Sequence, residues 1–194
     1  MKITLIQPNS QQDRDENLRV TRELMLEAVK SDEPDLIVLP EHFSWYGGGP
    51  DEKLAIAEPP GGGGPGYLMA RDFAKEHGVY VHAGSILEQV EGENRIYNTS
   101  FVFDREGNQV AVYRKIHLFD IVCPDGDEYK ESAAVRPGEE IVTYEIDGLR
   151  VGCAICYDIR FFELFLQLEK AGCDIIVLPA AFTLQTGKDH WEVL

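Results

Sequence analysis

Three reactive side chains each follow an apolar run that is typical of a β-strand. They are Glu41 after residues 36–40, Lys115 after residues 110–114 and Cys156 after residues 149–155. In parallel α/β sheets, ligands bind at the carboxyl ends of the strands. A nucleophile, a carboxylate and an ammonium that meet there are the groups that acyl transfer requires. The spacing therefore predicts an acyl-transfer site.

The thiol of Cys156 needs a partner, because the thiolate is the nucleophile and the pKa of a free thiol is about 8.5. Glu41 is the candidate base, since a carboxylate at an apolar strand end beside a second acid is expected to have a raised pKa. Lys115, together with a backbone N–H near Tyr157, is the candidate for stabilising the oxyanion of a tetrahedral intermediate.

Cys153 and Cys156 form a C-x-x-C pattern that two other functions could use. A zinc site needs four ligands, and the chain has no second C-x-x-C and no H-x-x-x-H. A thioredoxin-like dithiol needs both sulfurs close together at a helix start, whereas residues 153 and 156 of a strand point to opposite faces. His117 is an alternative base for Cys156, although a hydrogen-bonded loop or core histidine is the commoner role.

The composition excludes some classes of partner. The 194 residues fit one domain and carry 34 acidic against 18 basic side chains, for a formal charge of -16. Without clustered Lys and Arg, we expect neither nucleic acid nor a membrane surface as a partner. The first residues lack a signal-peptide pattern, and four cysteines are too few for a disulfide scaffold, so a cytoplasmic location is expected.

Predicted helices and strands alternate along the chain, which indicates an α/β domain with a mixed sheet. Helices are predicted for residues 17–30, 68–77 and 161–171. Strands are predicted for residues 3–7, 35–39, 79–86, 99–103, 110–114, 141–146, 149–155 and 174–179. The Gly- and Pro-rich residues 59–66 and the polar residues 120–137 are predicted loops. Residues 186–194 resemble the beginning of a helix without a C-cap, so we expect the chain to be a fragment.

Three segments resemble the nitrilase superfamily of carbon–nitrogen hydrolases, in the order that the family shows. They are residues 39–41, 113–120 and 152–161. Residues 182–183, 186–187 and 190–192 resemble its amidase branches, in particular the omega-amidases and deaminated-glutathione amidases. The resemblance implies a single domain over residues 1–194 with the four-layer α-β-β-α sandwich of this family, incomplete at its carboxyl end. Phe162 stands where relatives commonly have proline.

The resemblance also implies a Glu-Lys-Cys triad, in which Glu41 is the general base, Lys115 stabilises the oxyanion and Cys156 is the nucleophile. A second family glutamate falls at Glu131, which would position Lys115 or assist proton transfer, and Glu128 is the weaker candidate for that place. No metal and no organic cofactor are implied. The implied partners are a small amide, water and further copies of the chain, as a homodimer or higher homo-oligomer.

The implied reaction is attack of Cys156 on an amide carbonyl, loss of ammonia and hydrolysis of the thioester. The ω-amide of a dicarboxylate is the favoured substrate, and an N-carbamoyl amine hydrolase is the alternative within the family. An inactive fragment and a dithiol redox protein are the alternatives outside it. If the site is assembled, we expect iodoacetamide to alkylate Cys156 rapidly and selectively.

Overall fold

A computed structural model describes residues 1–122, 126 and 128–194. Helices and strands alternate along most of its length. The helices are α1 Arg14–Asp32, α2 Pro50–Ile56, α3 Pro65–His77, α4 Phe162–Lys170 and α5 Leu184–His190. The strands are β1 Ile3–Leu5, β2 Leu36–Val38, β3 Tyr80–His82, β4 Ile86–Gln89, β5 Ile96–Phe103, β6 Gln109–Arg114, β7 Asp120–Val122, β8 Glu128–Lys130, β9 Thr143–Ile146, β10 Leu149–Cys153 and β11 Ile175–Val177. Short 3₁₀ helices cover Glu131–Ala133 and Cys156–Arg160.

The strands form two main sheets and a separate hairpin. In the larger sheet the order is β1-β2-β3-β5-β4, with β6 paired to β5. Strands β1, β2 and β3 run parallel, and the remaining pairs are antiparallel. The smaller sheet has the order β11-β10-β9, and β7 pairs with β8. The mixed sheet predicted from the sequence is therefore confirmed.

The two main sheets pack face to face. The side chains of β2 show this, since alternate residues enter two different cores. Ile37 packs with side chains of α1 and α3, including Met25 and Phe73. Leu36 and Val38 instead pack with apolar residues of β9 and β10. This alternation is what a period of two produces in a strand that is buried on both faces.

Helix α4 covers the outer side of the smaller sheet. Its buried residues Leu164 and Leu168 pack against Ala154, which follows β10. The layers are therefore α1 and α3, the larger sheet, the smaller sheet, and α4. The predicted four-layer α-β-β-α arrangement is confirmed.

Some local predictions were wrong. Residues 79–86 form two strands rather than one, because the chain bends at Gly84, where φ is +40°. A Cβ atom on Gly84 would lie 1.9 Å from the carbonyl oxygen of Pro40, so the bend depends on glycine. The contact fixes the backbone immediately before Glu41.

Two predicted loops contain regular structure. The loop over residues 120–137 includes the β7–β8 hairpin and a 3₁₀ helix, while its residues 123–125 and 127 lie outside the described residues. The last two residues of the loop over 59–66 begin α3, and α2 was not predicted from the sequence. None of the helices in the described part of the chain is long and apolar enough to cross a membrane.

Candidate active site

The residues that the sequence singled out lie together in one cavity of about 400 Å³. Glu41 and Cys156 lie just beyond β2 and β10, and Lys115 and Glu131 directly follow β6 and β8. All four line the cavity, as does Tyr157. Other lining residues include His42, Tyr46, Lys53, Phe119, Glu128, Lys130, Arg160, Phe182, Thr183 and Thr186.

The ammonium of Lys115 lies between two carboxylates. Its Nζ donates to Oε1 of Glu41 at 3.1 Å and to Oε2 of Glu131 at 2.9 Å. Lys115 is 2% exposed and Glu41 is 5% exposed, so solvent screens this pair of contacts weakly. An ammonium has three N–H groups. Two of them bind these carboxylates, which leaves one for a ligand in the cavity.

Backbone N–H groups hold both carboxylates in place. Oε2 of Glu41 accepts from the N–H of Ala181 at 2.9 Å, and Oε2 of Glu131 accepts from the N–H of Phe119 at 2.7 Å. Glu128 is exposed and lines the same cavity, but in the described part of the chain Lys115 pairs only with Glu41 and Glu131. The contacts therefore favour Glu131 over Glu128 as the second glutamate.

Asn98 belongs to this cluster and was missed by the sequence analysis. It lies in β5 with no exposed surface, and its Nδ2 donates to Oε1 of Glu41 at 2.9 Å and to Oε1 of Glu131 at 3.3 Å. No signal in the sequence indicated this role, because Asn98 directly precedes the strand predicted for residues 99–103 and lies in no catalytic motif.

Cys156 occupies a strained turn between β10 and the following 3₁₀ helix. Its φ of +44° is in the left-handed region that non-glycine residues rarely adopt. Its N–H donates to the carbonyl of Pro179 at 2.8 Å. No hydrogen bond from the N–H of Tyr157 to another described residue is found, so this N–H is available to a ligand beside the thiol.

Asp158 ties the Cys156 turn to the segment that carries Lys115. One oxygen accepts from the N–H of Ile155 at 2.8 Å and from Oη of Tyr113 at 2.6 Å. The other accepts from the N–H of His117 at 3.0 Å and contacts its Nδ1 at 2.7 Å. His117 is thus engaged with Asp158, which agrees with its interpretation as a hydrogen-bonded loop histidine rather than as the base for Cys156.

Comparison with known proteins decides the family. The model of the carbon–nitrogen hydrolase family matches residues 2–194.

This chain belongs to the carbon–nitrogen hydrolase family.

Relatives of this carbon–nitrogen hydrolase chain include proteins named as amidases. It is 41% identical to a hydrolase from Schizosaccharomyces pombe, over 100% of the chain and 59% of that protein. It is 38% identical to a deaminated glutathione amidase from Synechocystis, over 97% of the chain and 69% of that protein. It is 37% identical to an omega-amidase from Danio rerio, over 100% of the chain and 68% of that protein. The chain thus spans roughly three fifths to two thirds of the length of these relatives.

A solved structure confirms the fold. Saccharomyces cerevisiae Nit3, a member of branch 10 of the nitrilase superfamily, superposes with a TM-score of 0.87 at 29% identity. The match covers 100% of this chain and 69% of that chain.

The charged side chains in the carbon–nitrogen hydrolase site determine one another's protonation states. Burial is the largest single influence on Glu41 and raises its pKa, but the charge of Lys115, its hydrogen bond and the other neighbouring groups together lower that pKa to about 2. The raised pKa expected for Glu41 is therefore wrong, because its nearest charge is the ammonium. Burial would lower the pKa of Lys115, but Glu41 and Glu131 raise it overall, so Lys115 stays charged.

The thiol of Cys156 is protonated at rest. Burial, and next the charge of Glu41, raise its pKa well above the usual range, although Lys115 and the N–H of Ala181 act in the opposite direction. The resting pair is thus a thiol beside an ionised carboxylate, which is the arrangement that a general base and its nucleophile require.

The two rival uses of the site find little support. Glu41, His42 and Glu131 lie close enough to share a metal ion, but the ammonium of Lys115 already binds both carboxylates. Cys153 is fully buried in the core between the sheets, and Cys153, Cys156 and Cys173 are all free thiols. Burial raises the pKa of Cys153, which makes it a poor partner for thiol–disulfide exchange.

Proposed function

We propose that this chain carries the site of an amidase that hydrolyses the C–N bond of a small linear amide through a thioester on Cys156. The observation that carries the proposal is the buried Lys115, which lies between two carboxylates in the cavity that Cys156 lines. Membership of the carbon–nitrogen hydrolase family and the amidase relatives support the reaction class.

In the first half-reaction Glu41 takes the proton of Cys156 as the sulfur attacks the amide carbon. The carbonyl oxygen becomes an oxyanion that accepts hydrogen bonds from the third N–H of Lys115 and from the N–H of Tyr157. Each such donor typically contributes about 2.7–4 kcal/mol to lowering the barrier. The C–N bond then breaks, Glu41 returns the proton to the leaving nitrogen, and ammonia departs from the thioester.

In the second half-reaction water replaces ammonia. Glu41 takes a proton from the water as its oxygen attacks the thioester carbon, and the same donors stabilise the second oxyanion. The C–S bond breaks, the carboxylic acid leaves, and Glu41 returns the proton to the sulfur. Glu131 keeps the ammonium of Lys115 in position throughout. Each step uses groups of the chain itself.

The favoured substrate is an ω-amide that also carries a carboxylate. Lys53, Lys130 and Arg160 line the cavity, and none of them forms an ion pair with another described residue. Basic groups at the rim of a cavity attract an anionic substrate and orient its carboxylate away from the carboxylates of Glu41 and Glu131. The omega-amidase relative is consistent with this choice.

Ammonia release tests the proposal. The chain is incubated with succinamate, with propionamide, which lacks the carboxylate, and with N-carbamoyl-β-alanine. We expect ammonia from succinamate, much less from propionamide, and none from Cys156→Ala. Release of carbon dioxide together with ammonia from the carbamoyl compound would favour the N-carbamoyl amine hydrolase instead. Equal ammonia release by Cys156→Ala would overturn the proposal. The cytoplasmic location and the homodimer stay predictions.

A further inference from the structure

Asn98 is the only neutral side chain in the described residues that donates to both carboxylates of the site. Its Nδ2 lies 2.9 Å from Oε1 of Glu41 and 3.3 Å from Oε1 of Glu131. An amide nitrogen carries two protons, so it can serve both acceptors at once. The donors to the other oxygen of each carboxylate are different groups, the N–H of Ala181 for Glu41 and the N–H of Phe119 for Glu131.

The orientation of Asn98 is determined by these carboxylates. Its Oδ1 is buried and has no hydrogen-bond partner in the described part of the chain. A buried acceptor without a partner is unfavourable and requires a compensating interaction. Rotating the amide would turn Oδ1 toward two anionic oxygens, so the two donated hydrogen bonds provide that compensation.

The charge balance shows why such a donor is needed. The buried Glu41 and the half-buried Glu131 share the single ammonium of Lys115, so the cluster carries an excess negative charge. Like charges that share a site normally raise the pKa of one member, and one carboxyl then takes a proton. Hydrogen bonds to the ionised form act in the opposite direction.

We propose that Asn98 is a positioning residue that keeps Glu41 and Glu131 ionised and fixed on the two sides of Lys115. The inference rests on the proposed function, in which Glu41 accepts the proton of Cys156. Without Asn98, the cluster takes up a proton at higher pH, so Glu41 loses its capacity as a base earlier as the pH falls.

The other groups that face Glu41 also influence its titration. The groups that face it are Lys115, Glu131, His42, Cys156 and Tyr46. Burial lowers the pKa of His42, so its ring is neutral at pH 7. Asn98 also contacts two of these groups, Oε1 of Glu131 at 3.3 Å and Nε2 of His42 at 3.5 Å, so the Glu41 signal is followed separately from theirs.

The test replaces Asn98 by Leu, which has a similar size and no donor. The protein is labelled with ¹³C at the glutamate carboxyls, and the Glu41 signal is assigned by its loss in Glu41→Gln. We expect the Glu41 titration midpoint to rise by roughly one to two pH units in Asn98→Leu. The acid limb of kcat/KM should move in the same direction. Because the carboxyl titration needs no substrate, failure of the proposed amidase activity would not obscure the result.

Thr99→Val is the matched control. Thr99 is the next residue of β5, is fully buried, and donates from Oγ1 to Glu88 at 2.7 Å, away from the cavity. We expect it to lower the melting temperature without moving the Glu41 titration. If Asn98→Leu fails to fold, Asn98→Ser keeps one donor and should give a smaller shift of the same sign. An unchanged Glu41 titration in the Asn98 variant, or an equal shift in Thr99→Val, would overturn the proposal.

Discussion

Asp158 accepts two hydrogen bonds from His117, at 3.0 Å from the backbone N–H and at 2.7 Å from Nδ1. The ring of His117 also stacks on Phe161 at 3.8 Å between centroids. Asp158 lies in the turn of Cys156, and His117 lies two residues after Lys115 in the sequence. The contact therefore joins the segment of the candidate nucleophile to the segment of the candidate oxyanion donor.

Replacing Asp158 by Asn should weaken the contact between these two segments. Asp158 is fully buried and accepts four hydrogen bonds, and an amide nitrogen in its place would face donors. We expect a loss of about 1–3 kcal/mol in the free energy of unfolding and a lower kcat. Urea unfolding and ammonia release measure the two effects. Asp147→Asn is the control, because Asp147 pairs with Arg105 at the surface, where such pairs contribute less than about 1 kcal/mol. Equal losses in both variants would contradict this role.

Replacing Cys153 by Ala should distinguish the amidase hypothesis from the dithiol hypothesis. Cys153 is fully buried between the sheets, so Cys153→Ala should cost about 1 kcal/mol of stability while ammonia release persists. Dithiothreitol should also leave the rate of ammonia release unchanged. If Cys153→Ala folds but is inactive, or if reductant switches the activity on, the dithiol hypothesis regains support.

Alkylation of Cys156 should be slow in the wild type and faster in Glu41→Gln. The charge of Glu41 raises the pKa of the thiol and that of Lys115 lowers it, so removing the carboxylate shifts the balance toward thiolate. The rapid labelling expected from the sequence assumed an activated thiolate, which the raised pKa argues against. Iodoacetamide rates at pH 7, followed by peptide mass, measure the effect. The wild-type rate should rise with pH. Slower labelling in Glu41→Gln than in the wild type would show that Glu41 ionises the resting thiol.

Glu41 should contribute to stability in a defined pH range. Its pKa falls from 4.5 to about 2 on folding, so the unfolded chain binds the proton more readily than the folded chain. Its contribution is complete above about pH 4.5 and is lost as the pH falls toward 2. At pH 7, Glu41→Gln should therefore be less stable by about 1–3 kcal/mol. Urea unfolding at several pH values measures the difference, which should shrink on acidification. A constant difference from pH 7 to pH 3 would rule out this linkage.

The sequence was sufficient for the layers and for the reactive side chains. Glu41, Lys115 and Cys156 were found because each follows an apolar run, although Glu41 and Lys115 follow strands of the larger sheet and Cys156 follows a strand of the smaller one. The four-layer arrangement followed from the family resemblance, whereas the residues themselves predicted an α/β domain with a mixed sheet. These features are local, so a single segment of sequence carries each of them.

The sequence was insufficient to predict contacts between residues that lie far apart along the chain. Asn98 contacts carboxylates 57 and 33 residues away, and nothing in its own strand distinguishes it from an ordinary strand amide. The direction of the Glu41 pKa shift depended on whether the ammonium or the second carboxylate is nearer, which only the three-dimensional arrangement decides. The bend at Gly84 likewise depends on the approach of Pro40 from a neighbouring strand.

The thioester on Cys156 is the central claim, and mass spectrometry of the quenched reaction tests it most directly. The chain is mixed with excess succinamate, acid-quenched at short times, and analysed as the intact protein and as peptides. We expect a succinyl group on Cys156, with the mass of the substrate less ammonia, which hydroxylamine removes and which is absent in Cys156→Ala. Ammonia formation without any acyl adduct in the wild type, or with the adduct on another residue, would contradict the account.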